Sequence, residues 1–453
     1  MVRGKLMRGI GLALSITGLL IVTGTAAQAS PQDIAICSNR KARPAAIIGA
    51  CSRIIKARKL SPKDLAGAHV LRSFAYVEQK DLGHAATDLQ SAMRLAPKEW
   101  AYPSLRARVL RNSGDLDGAL VNAEQAVKLN PREGTAFAVR GEIRSDRREY
   151  DQALSDFDEA IKRDTKIAFA YFGRADARLM KDDVEGAVDD LNKAIKLSPK
   201  WAAAYLLRGE ARRRLDQLDP ALADLDTAIK LQVADIYAFM TRAMIYRKKG
   251  NSTKALADVE EAIRRDQQKP NLFVLRGSIL QETGNNDAAL TDANRALELD
   301  RDSVTAQELR ATIYAKLGDY DRAIHDASEV IVRQPDNANA YDILGRSRSA
   351  KGEHDRALAE FLMVVRFAPW DAAGYLGAGR SLRARGDLSR AMSTLDKGLE
   401  MAPTNAGLYS ERAQLFNQIG RRAEAIADLK RGLDFHPDDS ALKDSLQKLE
   451  AVP

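Results

Sequence analysis

Side chains that commonly do chemistry are few and scattered in this sequence. The five histidines (His69, His84, His325, His354 and His436) show no metal-ligand spacing with one another or with a cysteine. The sequence contains no glycine-rich phosphate loop, no nucleophile elbow and no metalloprotease helix motif. Carboxylates are plentiful, but they recur at a fixed interval, which is typical of structural positions. The sequence therefore predicts no catalytic residues, no cofactor and no metal site.

The sequence repeats with a period of 34 residues, and this repeat sets where the histidine and carboxylate side chains lie. Eleven alanines follow it without a slip: Ala85, Ala119, Ala153, Ala187, Ala221, Ala255, Ala289, Ala323, Ala357, Ala391 and Ala425. With this alanine as position 20, the repeats run from 66–99 to 406–439. Position 8 is always small, and position 32 is proline in seven repeats. Small residues let two helices approach closely, and proline ends the second helix. Each repeat is therefore predicted to be a helix–turn–helix.

The columns resemble those of the tetratricopeptide repeat over 374 of the 453 residues. One repeat shows the pattern in Tyr171, Ala175, Ala187, Leu191, Ala194 and Pro199. The resemblance implies an all-α fold, a right-handed α-solenoid of tandem helix–turn–helix repeats, with residues 440–453 as a C-terminal capping helix and tail. It also implies that positions 2, 5, 9, 12 and 13 of the first helices face a concave, partner-binding groove.

The first 29 residues have the pattern of an export signal. Arg3, Lys5 and Arg8 form a basic start, an apolar run extends from residue 10 to 22, and Ala27-Gln28-Ala29 is a cleavage motif. The sequence predicts cleavage before Ser30 and a periplasmic protein with no integral membrane segment. A retained N-terminal anchor is the alternative.

Residues 30–65 are predicted to form a degenerate leading repeat, which contains the two cysteines of the chain, Cys37 and Cys51. In an oxidising compartment an isolated pair of this kind favours one disulfide. Two buried thiols are the alternative. At the other end Leu442, Leu446 and Leu449 form one apolar stripe, as a capping helix needs.

Position 7 is arginine in nine repeats, and position 23 is aspartate in eight of those nine. The two repeats without the arginine have Leu344 and Ala378 there, and they have Glu360 and Thr394 at position 23. Residues that are lost together are expected to be partners, so the sequence predicts a ladder of bidentate arginine–carboxylate pairs between helices. A basic row for anionic ligands is the alternative.

The charge of the chain is modest and dispersed. Removal of the three signal-segment cations lowers the formal net charge from +8 to +5. This balance does not favour nucleic acid as a partner.

A binding surface is predicted in the fourth to sixth repeats, where apolar side chains stand beside basic ones. The candidate residues are Phe169, Phe172, Leu206, Arg213, Arg214, Tyr237, Met240, Met244, Arg247 and Lys248. An apolar floor with a basic rim suits a peptide that has apolar anchors and acids. The alternative is that these side chains only pack between helices.

The sequence thus predicts a non-enzymatic scaffold of the bacterial cell envelope that binds a protein or peptide segment in the groove. A second hypothesis is an obligate, non-catalytic subunit of an envelope machine for polysaccharide or outer-membrane assembly.

Overall fold

The computed structural model describes residues 30–39, 41–57, 60–231 and 236–451, which form 25 helices and no strand. The predicted signal segment lies outside these residues. Two helices precede the repeats: α1 (Pro31–Ser38) and α2 (Pro44–Ala57). Repeats one to five contain α3 (Pro62–Glu78), α4 (Leu82–Leu95), α5 (Ala101–Ser113), α6 (Leu116–Leu129), α7 (Gly134–Asp146), α8 (Tyr150–Arg163), α9 (Ala168–Met180), α10 (Val184–Leu197), α11 (Ala202–Arg214) and α12 (Leu218–Lys230).

The remaining six repeats continue the same alternation. They contain α13 (Ile236–Lys248), α14 (Ser252–Arg265), α15 (Pro270–Glu282), α16 (Asn286–Leu299), α17 (Val304–Lys316), α18 (Tyr320–Arg333), α19 (Ala338–Ala350), α20 (His354–Phe367), α21 (Ala372–Ala384), α22 (Leu388–Met401), α23 (Ala406–Gln418) and α24 (Arg422–Phe435). Helix α25 (Ser440–Glu450) follows them.

The helices form two compact units, one ending at Ile245 and the other starting at Tyr246. The sequence, with its unbroken register, did not predict this division. Within each unit the two helices of a repeat pack together, and the second helix packs on the first helix of the next repeat. The first helices of consecutive repeats also contact each other, since α15 contacts α17 and α17 contacts α19. The first helices therefore line one face of their unit. The prediction of an all-α solenoid is confirmed.

The alanine column marks the closest contact between helices. All eleven alanines at position 20 have no exposed surface. A larger side chain there would separate the two helices of the repeat, because protein interiors leave no space for additional methyl groups. The period read in the sequence is therefore a packing constraint.

The turn between the two helices uses a left-handed residue at position 15 in every repeat. In seven repeats it is glycine, from Gly114 to Gly420, whereas Lys80, Arg148, Asp182 and Asp216 adopt positive φ of 59–66° in the others. The next residue often caps the second helix, as Asp319 does by accepting a hydrogen bond from the backbone N–H of Arg322. Glycine is thus favoured but not required at this turn.

The predicted ladder of arginine–carboxylate pairs is confirmed within the repeats. In the eighth repeat Arg310 donates from Nε and Nη2 to the two oxygens of Asp326, at 2.7 and 2.8 Å. Arg72, Arg140, Arg174, Arg208, Arg276 and Arg412 bind the carboxylate of their own repeats with the same spacing of 16 residues. The aspartates are almost fully buried, so each needs its cation nearby.

The same arginines also reach the preceding repeat. Nη1 of Arg174 donates to Asp158 at 2.7 Å, and Nη1 of Arg412 donates to Asp396 at 2.6 Å. Both acceptors lie at position 25 of the previous second helix. The sequence left open whether the pairs join helices within a repeat or between neighbours. In the fourth and eleventh repeats, one guanidinium binds both the second helix of its own repeat and that of the preceding repeat.

The ladder is interrupted in the ninth and tenth repeats, which lack the arginine at position 7. Glu360 there pairs with Arg348, one helical turn beyond the usual position, and burial raises the pKa of the Glu360 carboxyl. The Phe361 ring fills the space between two glycines, Gly345 and Gly377, where an added Cβ would lie 2.8 and 2.3 Å from ring carbons. This interface is therefore held by close apolar packing.

The N-terminal hairpin brings the two cysteines together. Their sulfur atoms lie 2.02 Å apart, which is the length of a disulfide bond, and their Cα atoms lie 5.1 Å apart. Both cysteines pack with Ile47 and Ile54 of α2 and with Leu71 of α3. The hairpin thus covers the first helix of the first repeat.

Helix α25 covers the last repeat in a similar way. Leu442 is buried, and Leu446 and Leu449 pack with it against Ala425 and Leu429 of α24. This is the stripe that the sequence assigned to a capping helix.

Candidate functional site

An open groove lies on the first-helix face of the second unit. It has a volume of about 770 Å³ and runs across α15, α17 and α19. Its lining residues are Arg247, Val274, Ser278, Gln281, Thr305, Glu308, Leu309, Thr312, Ala315, Lys316, Tyr320, Asn339, Asp342, Ile343, Arg346, Ser347 and Ala350. A groove of this size can hold several residues of an extended peptide.

The groove is built from the columns that the family resemblance implied. In α17 its lining includes Thr305, Glu308, Thr312, Ala315 and Lys316, which are positions 2, 5, 9, 12 and 13 of the eighth repeat. Steps of three and four residues place these side chains on one helical face. The opposite face packs into the core through residues such as the fully buried Ile313.

Small side chains keep the groove open. Position 9 is Ser278 in the seventh repeat and Thr312 in the eighth, whereas it is Glu142 in the third and Asp176 in the fourth. Glu142 and Asp176 are buried and occupy the equivalent face of the first unit. The small side chains at position 9 of the seventh and eighth repeats therefore leave space that Glu142 and Asp176 fill in the first unit.

Three polar atoms at the groove have no hydrogen-bond partner although they are buried. They are the amide nitrogen Nε2 of Gln281, the carboxylate oxygen Oδ1 of Asp342 and the hydroxyl Oγ of Ser347. Ser347 as a whole is only 1% exposed. A buried polar group without a partner costs free energy. The three atoms have almost no accessible surface, so they lie behind the groove lining and not at its open surface.

Charged side chains line the groove as pairs and as single groups. Arg346 donates from Nε to Asp342 Oδ2 at 2.8 Å, and burial raises the pKa of the Asp342 carboxyl despite this partner. Arg247 pairs with Glu282, and the Nδ2 of Asn337 donates to Glu308. Lys316 is exposed at the edge.

The predicted anchors Phe172 and Leu206 are packing residues, which corrects the sequence-based hypothesis for these two. They are 2% and 3% exposed. The Phe172 ring stacks on Trp201 with centroids 4.6 Å apart, and Leu206 packs with Leu225. Both side chains lie between helices, where a ligand in the groove would not reach them.

Phe169 also has a partner within its own unit. Its ring lies 5.9 Å from the guanidinium carbon of Arg108, two repeats earlier, and packs beside Val139 and Ile143. On the same helix as Arg108, the buried Arg111 pairs with Glu142 and Asp146. These side chains lie on first helices of the second to fourth repeats.

Arg213 and Arg214 make ion pairs within the first unit, Arg213 with Glu210 and Arg214 with Asp182. Tyr237 and Met240 are half-buried, Met244 is 37% exposed, and Lys248 is exposed. Of the ten predicted binding residues, only Arg247 lines the groove described here.

The groove residues that the sequence analysis missed carried a usable signal. Ser278, Thr312 and Ala315 are small residues at positions implied to face the groove. The choice of repeats followed large apolar side chains instead, and several of those are buried. A search for small residues at position 9 would have selected the seventh and eighth repeats.

Within residues 30–451 where the structure describes them, no group of three or more histidine, cysteine or acidic side chains could hold a metal ion. In the same residues no helix combines the length and the apolarity that crossing a membrane requires.

Comparison with known families gives matches along the repeats. One tetratricopeptide-repeat profile matches residues 139–202, 240–304, 274–327 and 308–372, and a second matches residues 382–449. Together the matched residues make up more than half of the chain. No curated protein matches the sequence.

Several solved structures are similar. The Cut9–Hcn1 hetero-tetramer of APC/C is 14% identical over 90% of this chain and 93% of that chain, with a TM-score of 0.50. A thermophilic TPR protein of Thermus thermophilus is 25% identical over 40% of this chain and 100% of its own, with a TM-score of 0.37. Yeast Tom70 is 16% identical over 85% of this chain and 95% of its own, with a TM-score of 0.45.

Proposed function

Since the chain is a tetratricopeptide-repeat protein, we propose that it is a non-enzymatic scaffold that holds a segment of another protein in the groove of the second unit. The observation that carries this proposal is an open groove of about 770 Å³ on the first-helix face, with an apolar floor and with the small side chains of Ser278 and Thr312 at position 9. The apolar side chains of an extended segment would cover Val274, Leu309 and Ile343.

Thr312 offers a direct test because it lies in the middle of the groove lining. Peptides are first selected from a random display library of about 12 residues on the full-length protein. We expect Thr312→Trp to weaken the binding of selected peptides at least about tenfold, since the indole would fill the space that they need. Fluorescence anisotropy with synthetic peptides measures the loss.

Thr291→Trp is the matched control. Thr291 is exposed on the second helix α16, and its hydroxyl makes the same bond to the carbonyl four residues earlier as that of Thr312 does. We expect this variant to bind like wild type. Equal binding by Thr312→Trp would place the site elsewhere, and a library without any binder would refute the peptide-binding function.

We further propose that the scaffold works in the bacterial cell envelope. Support comes from the basic start, the short apolar run and the Ala27-Gln28-Ala29 motif of the sequence. N-terminal sequencing of the protein from a periplasmic fraction should begin at Ser30. A chain that still begins at Met1, or that stays in the cytoplasm, would contradict export and cleavage.

A further inference from the structure

A second groove continues the first towards the C-terminus. It has a volume of about 390 Å³ and lies between α19 and α21. Asp342, Arg346 and Ala350 line both grooves, and Leu376 and Arg380 extend the lining. A segment that leaves the first groove in this direction would therefore meet Arg346 and then Arg380.

Glu411 lies beside this second groove, and the residue at the same position is aliphatic in most other repeats. Position 6 is an aliphatic residue in seven repeats: Leu71, Leu105, Val139, Leu207, Leu275, Leu309 and Ile343. In the eleventh repeat it is Glu411, which is 1% exposed. A buried carboxylate loses its hydration, and its ion pairs roughly compensate for that loss. A buried aliphatic side chain would therefore stabilise the fold about as well as the ion-paired carboxylate does. Fold stability alone does not account for an acid here.

Two arginines from the preceding repeat hold this carboxylate. Arg380 donates from Nε to Glu411 Oε2 at 2.9 Å, and Arg383 donates from Nε to Oε1 at 2.7 Å. Charge-assisted bonds of this kind fix the donor side chains. Arg383 also donates from Nη2 to Gln414 Oε1 at 3.2 Å. A guanidinium has five N–H donors, so both arginines keep donors for a ligand. Glu411 thus orients Arg380 and Arg383 from their buried side.

The exposed charge at the second groove is positive. The side chains of Arg346, Arg380 and Arg383 are 66%, 55% and 31% exposed, whereas those of Asp342 and Glu411 are 23% and 1% exposed. These three cations stand beside Asp342 and Glu411, which lie mostly beneath them, and beside Asp371, which is close enough to Asp342 to help raise the pKa of its carboxyl. A ligand that approaches this surface meets guanidinium groups before it meets acids.

We propose that the segment bound in the groove carries acidic side chains, and that its carboxylates bind Arg346, Arg380 and Arg383. This inference rests on the proposed function, because it assigns the chemistry of the segment that the groove holds. Leu376 and Ile343 provide apolar contact between the cationic points. The preferred segment accordingly combines aspartate or glutamate with aliphatic residues. Glu411 is a positioning residue, since it acts through the two arginines.

The display library distinguishes this inference from the function on which it rests. Peptides selected on the wild-type protein should be enriched in aspartate and glutamate. Replacing the acids of a selected peptide by asparagine and glutamine should weaken its binding about tenfold. If binding is lost in Thr312→Trp but the peptides show no acid enrichment and tolerate the amide replacements, the groove function stands and the acidic-segment inference is refuted.

Variants of the arginines provide the reciprocal test. Arg380→Ala and Arg383→Ala should each weaken an acidic peptide about tenfold and reduce the salt dependence of its binding. Arg385→Ala is the control, because Arg385 lies just beyond the end of the same helix and pairs with Asp355 at the turn. An equal loss in all three variants would mean that only overall charge matters, which contradicts a defined site.

Glu411→Leu separates a positioning role from a structural one. It restores the aliphatic residue of the column, so we expect a melting temperature equal to or higher than that of wild type. Affinity for the acidic peptide should nevertheless fall several-fold, because Arg380 and Arg383 lose the group that orients them. A lower melting temperature with unchanged affinity would show that Glu411 serves the fold alone.

Discussion

Arg310→Ala is expected to lower the free energy of unfolding of the second unit by about 3–5 kcal/mol. The substitution removes three hydrogen bonds, two to Asp326 and one to Asn294. The larger part of the effect comes from Asp326, which is 2% exposed and would lose the cation with which it pairs. The hydrogen bonds to Asp326 and its charge also raise the pKa of the Arg310 guanidinium above its usual value. Urea denaturation followed by circular dichroism measures the change.

Arg208→Ala is the matched comparison in the first unit. Arg208 makes the same two bonds to Asp224, but Arg212 also donates from Nη1 to that carboxylate at 2.7 Å. Since a second cation stays in place, we expect a smaller loss of about 2 kcal/mol. A double-mutant cycle of Arg310 and Asp326 should show coupling of about 0.5–3 kcal/mol. Additive effects, or equal losses in the two repeats, would contradict the role assigned to the pair.

Replacing both cysteines by alanine is expected to destabilise the N-terminal hairpin by about 3 kcal/mol. The bond closes a short loop, with a sequence separation of 14 residues, and α1 is a helix of only 8 residues. Loss of the cross-link lets the unfolded hairpin sample more conformations. The effect should stay local, because in a repeat array each element contacts only its neighbours.

Hydrogen exchange monitored by mass spectrometry tests this expectation. Amides of α1 and α2 should exchange faster in the Cys37→Ala/Cys51→Ala variant, while those of the later repeats keep their protection. Addition of a reductant should produce the same change in the wild-type protein and none in the variant. Unaltered protection of α1 and α2 would mean that the apolar contacts of Ile47 and Ile54 suffice without the bond.

The sequence predicted the repeat register and the charge ladder because both depend on contacts at fixed spacing. A pair such as Arg310 and Asp326 recurs at the same two positions, so one sequence shows it many times. Position 15 was harder to interpret. Arg148 adopts a positive φ as Gly318 does, and the packed helices on either side impose it against the preference of the side chain.

The candidate site was predicted only in part. The groove-facing columns do line the groove of the second unit, whereas the choice of repeats followed side chains that are partly buried. Phe172 is a large apolar residue in either environment, and the pattern of one helix does not show what packs against it. Whether the first-helix face is open also depends on the size of the side chains that lie on it. Thr312 leaves space in the second unit where Glu142 fills it in the first.

The double contact of the ladder arginines has a consequence for how each unit melts. Arg174 and Arg412 each bind their own second helix and the preceding one, so unfolding of a single repeat breaks ion pairs on both of its sides. The loss of these ion pairs therefore destabilises the neighbouring repeats as well. This favours an all-or-none unfolding transition over stepwise fraying of single repeats. The ninth and tenth repeats have Leu344 and Ala378 in place of this arginine, and there the linkage depends on apolar packing such as that of Phe361. Apolar contact weakens on cooling, so the ninth and tenth repeats are where low temperature would first divide the melting of the second unit into two steps.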